Sequence, residues 1–175
     1  MVGRAVNVIH YDGGMDQPSH HRTLGEILGH DRVDTPEGIV FRRYMELSRS
    51  PLGWGEFAMH DRYLWLIATF HQQVMGGGIE AFLCNSSGEF ALDTLEALRA
   101  IGAKSASAWL KTVCEQFPNG VPHQDQETRT GQVDSIVSTD AAGRRARLDT
   151  LFPGTLDANL HQILLDYWRR EQGKV

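Results

Sequence analysis

Three carboxylates at positions 89, 93 and 96 are spaced i, i+4 and i+7, the interval that returns side chains to one face of an α-helix. Glu89, Asp93 and Glu96 therefore make a candidate acidic face opposite Ala91, Leu95, Leu98 and Ile101, with Glu80 just upstream. The chemistry of such a face is recognition: a row of carboxylates imitates a row of phosphates and attracts the basic groove of a DNA-binding protein. Seven residues rise roughly 10 Å, over which duplex DNA presents about six charges, so one helix supplies half that density at best. A solvated face that complements the helix dipole would have the same pattern.

The other reactive side chains lack the partners that catalysis needs. Eight histidines include His20-His21, His30-Asp31, His60-Asp61 and His71, but no HExxH-type pair places two ligands on one helix turn. Cys84 and Cys114 fall on or beside apolar stripes and read as small buried hydrophobes. Ser86 and Ser87 lack the GxSxG elbow, and helix capping accounts for them. Gly76-Gly77-Gly78 follows a helix and precedes no GKS or GKT, so it reads as a tight inter-helix turn and not as a phosphate cradle. No catalytic residue, metal ligand or cofactor site is assigned.

The elements that would position these residues are helices. Thr35-Pro36-Glu37 is a helix start, with a hydroxyl cap, proline at the first helical position and an acid in the first turn. A helix from there to about Ser48 turns Val40, Tyr44 and Leu47 inward. Glu56 to Met75 contains no proline or glycine, carries Phe57, Leu64, Ile67, Ala68, His71 and Val74 at helical spacing, and is apolar nearly all round from Tyr63 to Phe70. Such a pattern belongs to a central buried helix. The glycine triplet breaks it, Ile79 to Cys84 adds a short apolar turn, and Asn85 to Gly88 caps the next helix, which stops at Gly102. Ser105 to Phe117 carries Ala106, Leu110, Val113 and Phe117 on one stripe that Pro118 terminates, so the two helices form a hairpin. Glu127 to Val137, weakened by Gly131, and Leu156 to Glu171 complete the set. The expected fold is all-α, a single-domain bundle of about five to seven helices over residues 35–175, preceded by an irregular arm over 1–34 with room for one short strand at Ala5 to Tyr11.

Composition narrows the function classes. Hydrophobic residues at 41% suffice for a packed core across 175 residues. The net charge of −5 leaves no basic field for nucleic acid, so direct nucleic-acid binding is not expected. The excess is spread evenly: 8 acids and 6 bases up to His60, 6 and 4 up to Val121, and 8 and 7 thereafter. The longest apolar run falls far short of a membrane span. The start MVGRAVNVIHYDGG has no secretory apolar stretch, which with two cysteines suggests a cytoplasmic location.

His71 to Pro118 resembles the core of a bacterial DNA-mimic domain family. The shared features are the Gly77-Gly78 turn, Phe82 followed by Asn85, Ser86, Ser87 and Gly88, the run Ala97 to Ala103 containing Gly102, and Phe117-Pro118. Leu148-Asp149 and the closing helix through Tyr167 extend the likeness, so it covers about two thirds of the chain from Glu56 onward. The resemblance implies an all-α homodimer, without enzymatic activity, whose acidic surface draws a transcriptional regulator from its operator. Arg144, Arg145, Arg147, Arg169 and Arg170 dilute that acidity in the C-terminal third. The expected partner is a protein with a basic surface, a DNA-binding regulator, met by Glu80, Glu89, Asp93 and Glu96. The rival readings are an immunity-type binder that neutralises a toxin, and a small enzyme using the histidines and Asn85-Ser86-Ser87 in an inter-helix cleft.

Overall fold

A helix that is apolar on every side must be covered on every side, and the segment around Leu64 to Phe70 organises the bundle for that reason. The structure is a computed structural model describing residues 34–138 and 156–174. Among the described residues six helices form: α1 (Pro36–Ser48), α2 (Met59–Cys84), α3 (Ala91–Ile101), α4 (Lys104–Cys114), α5 (Gln126–Ser138) and α6 (Leu160–Gln172). Single 3-10 turns stand at Trp54–Glu56, Ser86–Phe90 and Pro118–Gly120, and no strand occurs among the described residues. The expected arm and its strand, and the Leu148-Asp149 feature, lie outside those residues. Helices α1, α3, α5 and α6 all pack on α2, α3 pairs with α4, and α6 also lies against α1.

The expected starts and stops hold where local chemistry sets them. Thr35 caps α1, its hydroxyl accepting from the Gly38 N–H at 3.2 Å. Gly102 ends α3 at φ 84°, and the Ala103 N–H returns to the Leu98 carbonyl at 2.9 Å, the closure that a left-handed glycine permits. The N-terminal boundary of α2 differs from expectation. Helix α2 begins at Met59, because Arg62 donates to the carbonyls of Phe57 (3.0 Å) and Gly55 (2.6 Å) and holds residues 54–57 as a separate turn. Helix α6 begins at Leu160 and not at Leu156, because Asp157 is used elsewhere: its carboxylate accepts from the Ala106 N–H at 3.3 Å, an orphan donor at the start of α4.

The glycine triplet turns the chain back on itself. Gly77 and Gly78 leave helical geometry, Gly78 at φ 73°. A straight helix would separate Phe70 and Phe82 by about 18 Å, yet their rings meet at 5.1 Å, edge to face. Across the same fold, the amide oxygen of Gln73 accepts from Asn85 Nδ2 at 3.2 Å and from Ser87 Oγ at 2.8 Å.

The corner so made is closed by an arginine. Arg129 on α5 is fully buried, and its guanidinium donates to the carbonyls of Leu83 (2.5 Å), Asn85 (2.8 Å), His123 (2.6 Å) and Gln124 (2.8 Å). Those carbonyls belong to the end of α2 and the loop before α5, where Gln126 Nε2 also donates to the Cys84 carbonyl at 2.8 Å. Gly88 is required beside it, since a Cβ there would overlap the Leu83 carbonyl and come within 2.5 Å of Arg129 Nε. The attachment to Arg129 also explains why α5 forms despite Gly131 and a weak apolar pattern: Arg129 and Val133 are the buried residues over 126–136.

Replacing Arg129 by Met keeps most of the volume but strands several buried carbonyls, at roughly 1–3 kcal/mol each. The expected result is a loss of at least about 3 kcal/mol, or roughly 6–12 °C in Tm for a domain of this size, measured by thermal and urea unfolding. Arg129→Lys should recover little of it, because one ammonium cannot reach four carbonyls on two chain segments. Wild-type stability in Arg129→Met would show that the corner does not depend on the guanidinium.

Candidate acidic interface

Helix α3 turns Ala91, Leu95, Leu98 and Ile101 into the core as expected, together with Thr94 and Ala97, which leaves Asp93 and Glu96 exposed. Beside them stand two tyrosines. Tyr63 of α2 and Tyr167 of α6 stack with ring centroids 5.9 Å apart and planes at 29°, and Tyr63 Oη lies 3.5 Å from Glu96 Oε1. Among the described residues neither Asp93 nor Glu96 has an ion-pair partner. The titration of the neighbours reports their field. Partial burial, then Glu96, Tyr167 and Asp93, push the Tyr63 phenol above its ordinary value. Partial burial and the Glu96 charge push the Asp93 carboxyl up. Arg170, three residues further along α6, lies 5.4 Å from the centre of the Tyr167 ring.

Glu89 does not share that face. It belongs to the 3-10 turn Ser86–Phe90 and not to the first turn of α3, so the i, i+4, i+7 register counted from it does not apply. The turn forms because Gly88 must reach the Arg129 corner before α3 can begin. Glu89 is exposed, and its charge acts on Arg129, raising a guanidinium pKa that burial otherwise lowers. Glu80 stands on the segment after the glycine turn, half-buried, where it and Asp134 of α5 both act on the Cys84 thiol. The four acids thus divide into an Asp93–Glu96 pair among tyrosines and outlying charges at Glu89 and Glu80. Tyr63, Tyr167 and Asp134 had no distinguishing signal in the sequence, since each gains meaning only from another helix.

The remaining motif residues shape the backbone. Gly77 and Gly78 make the turn, and a Cβ at Gly77 would come within 2.8 Å of the Ala81 Cβ. Asn85 and Ser87 bind Gln73, and Ser87 Oγ also reaches the Phe82 carbonyl at 3.3 Å. The expected capping by Ser86 or Ser87 is corrected, because no side chain caps α3 and Phe90 occupies its cap position. Pro118 opens the turn that ends the α4 stripe.

The groups that would serve an enzyme stand apart. Burial pushes the Cys84 thiol up and the Cys114 thiol to about 11, which disfavours the nucleophilic thiolate. Among the described residues no three His, Cys, Asp or Glu side chains converge as a metal site. His71 of α2 instead meets His161 of α6, ring centroids 4.4 Å apart. A groove of about 640 Å3 between the end of α4 and α5 is lined by residues such as Gln116, Phe117, Gln132 and Ile136 and by no histidine or acid. No described helix is long and apolar enough to cross a membrane.

A family model described as DMP19-like protein matches residues 55–172, from the Trp54–Glu56 turn to the end of α6. No curated protein and no solved structure matches the chain.

If the acids and tyrosines form one electrostatic unit, neutralising Glu96 must be felt at Tyr63. Glu96→Gln should bring the Tyr63 phenol back toward its ordinary value in a spectrophotometric tyrosine titration, and Glu89→Gln should not. Equal effects of the two substitutions would place Glu89 on the same face.

Proposed function

The chain belongs to the DMP19-like protein family, a family of DNA mimics, and on that premise we propose that it acts without catalysis, binding a DNA-binding protein through the acidic face around Asp93 and Glu96. The observation that carries this reading is the Asp93–Glu96 couple, without an ion pair among the described residues, beside the Tyr63–Tyr167 stack. Elsewhere on the surface some acids are paired, as Glu46 is with Arg43, Glu115 with Lys111 and Glu171 with Lys174. An unpaired couple on a rigid helix costs no existing ion pair when a basic partner arrives.

Asp93 and Glu96 are three residues apart, an axial rise of about 4.5 Å, over which the two strands of duplex DNA carry between two and three charges. Locally the density is that of DNA, although the chain as a whole, at −5, is only mildly acidic. Glu89 and Glu80 extend the negative field around the Arg129 corner at lower density. In this reading the partner is a cytoplasmic transcriptional regulator, and a homodimer presents the couple twice, as DNA presents two half-sites to a dimeric regulator. Complementary charge of this kind acts mainly on association rate and is weakened by salt, with a screening length of about 10 Å at 0.1 M.

Affinity capture from the native lysate across a salt series tests the proposal. The expected result is a DNA-binding protein that is held at low salt, released at high salt and displaced by duplex DNA. An Asp93→Lys/Glu96→Lys variant should lose at least roughly tenfold in affinity, about 1.4 kcal/mol. A partner held equally at both salts, or equally by the variant, would count against this face.

A further inference from the structure

Two imidazoles meet where α6 begins. His161 is the second residue of α6, and its ring stands against that of His71 on α2 at 4.4 Å and 72°. Both rings are half-buried, and the Glu37 carboxylate of α1 lies 4.0 Å from His161 Nδ1. The junction therefore joins α1, α2 and α6 through side chains that are uncharged near neutral pH and cationic in acid. We propose that the His71–His161 pair is an acid-sensitive clasp on α6, which lets that helix lift from α1 and α2 when both rings become protonated.

Three features of the site make the doubly protonated pair unfavourable. Two cations at this separation repel in a half-buried setting. His161 sits in the first turn of α6, where the positive end of the helix dipole opposes a further cation. Among the described residues Glu37 is the one acid that acts on the pair; it is exposed and can balance one of the two charges. The titration follows: burial, then the charge of His161, hold His71 down to about 4 against the opposing pull of Glu37. Burial likewise lowers His161 despite Glu37. In a released helix both rings would return toward the ordinary 6.5. The released form therefore binds more protons, so docking is fully stable above about 6.5 and loses stability as pH falls toward 4.

The other anchors of α6 are not the proton-sensitive ones, and they part only when the helix itself lifts. Leu160, Leu164 and Leu165 are its buried anchors and carry no charge. At its far end Trp168 Nε1 donates to Asp61 Oδ1 at 2.9 Å, and Arg43 donates to both carboxylate oxygens of Asp61. Burial pushes the Asp61 carboxyl up, but the bonds from Arg43 and Trp168 and the Arg43 charge outweigh it and hold it below the usual carboxylate range. His60 also faces this end, its Nε2 4.0 Å from Asp61 Oδ2. The acids facing α6 from α3, Asp93 and Glu96, lie beside Tyr63 and Tyr167 rather than the histidines. A helix freed at its start would carry Tyr167 away from Tyr63, so acid would also dismantle the proposed binding face. That last consequence rests on the function proposed above, whereas the clasp does not.

The indole N–H of Trp168 reports docking directly, because its hydrogen bond to Asp61 exists only when α6 is seated. In the full chain, its NMR resonance followed from about pH 7 to about pH 5 should move toward the value of a free indole while the helical circular dichroism changes little. His71→Phe, which keeps a ring and removes the proton site, should shift the transition down by at least about one pH unit. His161→Gln, which removes one charge without filling the core, should do the same if His71→Phe folds poorly. An indole resonance unmoved down to about pH 5, or a transition unmoved by the substitutions, overturns the clasp. The readout needs no partner, so it fails independently of the capture experiment at neutral pH.

Discussion

Arg129 is the side chain on which the arrangement of the other helices depends. A guanidinium taken wholly out of water costs several kcal/mol unless its donors are met, and here four carbonyls from two chain segments meet them. The satisfied arginine fixes where the returning limb of α2 ends, forces Gly88 into close contact, and docks a helix whose own apolar pattern is weak. It also inserts the 3-10 turn before α3, and with it displaces Glu89 from the acidic face. One desolvated cation thus decides both a corner of the core and the grouping of surface charges.

At the other end of the bundle a second buried charge performs a similar task. Asp61 receives Arg43 from α1 and Trp168 from α6, while Arg43 also lies 5.8 Å from the centre of the Trp168 ring. Burial costs the carboxylate less than these bonds return, as its lowered pKa records. Helix α6 is consequently held by three buried leucines, by one strong polar contact at its far end and by two histidines at its start. The polar contact is stable across ordinary pH, and the histidine contact is the one that protons can weaken.

The charge pattern connects this architecture to the family. A net excess of acid spread thinly along the chain could not by itself imitate DNA. What matters is local pairing. Glu46, Glu115 and Glu171 have basic partners close by in the chain, whereas among the described residues Asp93 and Glu96 have none. Tyr63 and Tyr167 give the couple a partly buried base, in which charge is less screened than on an open helix.

Helix number, class and most boundaries were legible in the sequence because they follow from local rules. Thr35-Pro36 starts a helix by capping chemistry, Gly102 ends one by left-handed geometry, and the all-round apolar run at 63–70 requires burial wherever it sits. The likeness to a family of DNA mimics was legible for a related reason, since its motif is made of residues that turns and close approaches demand. The partners of charged and aromatic side chains were not legible. Arg129 looks like any surface arginine of a polar helix until α2 folds back over it, and Tyr63 and Tyr167, 104 positions apart, meet only through packing. Sequence periodicity reports which face of a helix is apolar. Which carboxylates share a surface, and which cation is buried, depend on the relative placement of helices, and only the tertiary structure decides that.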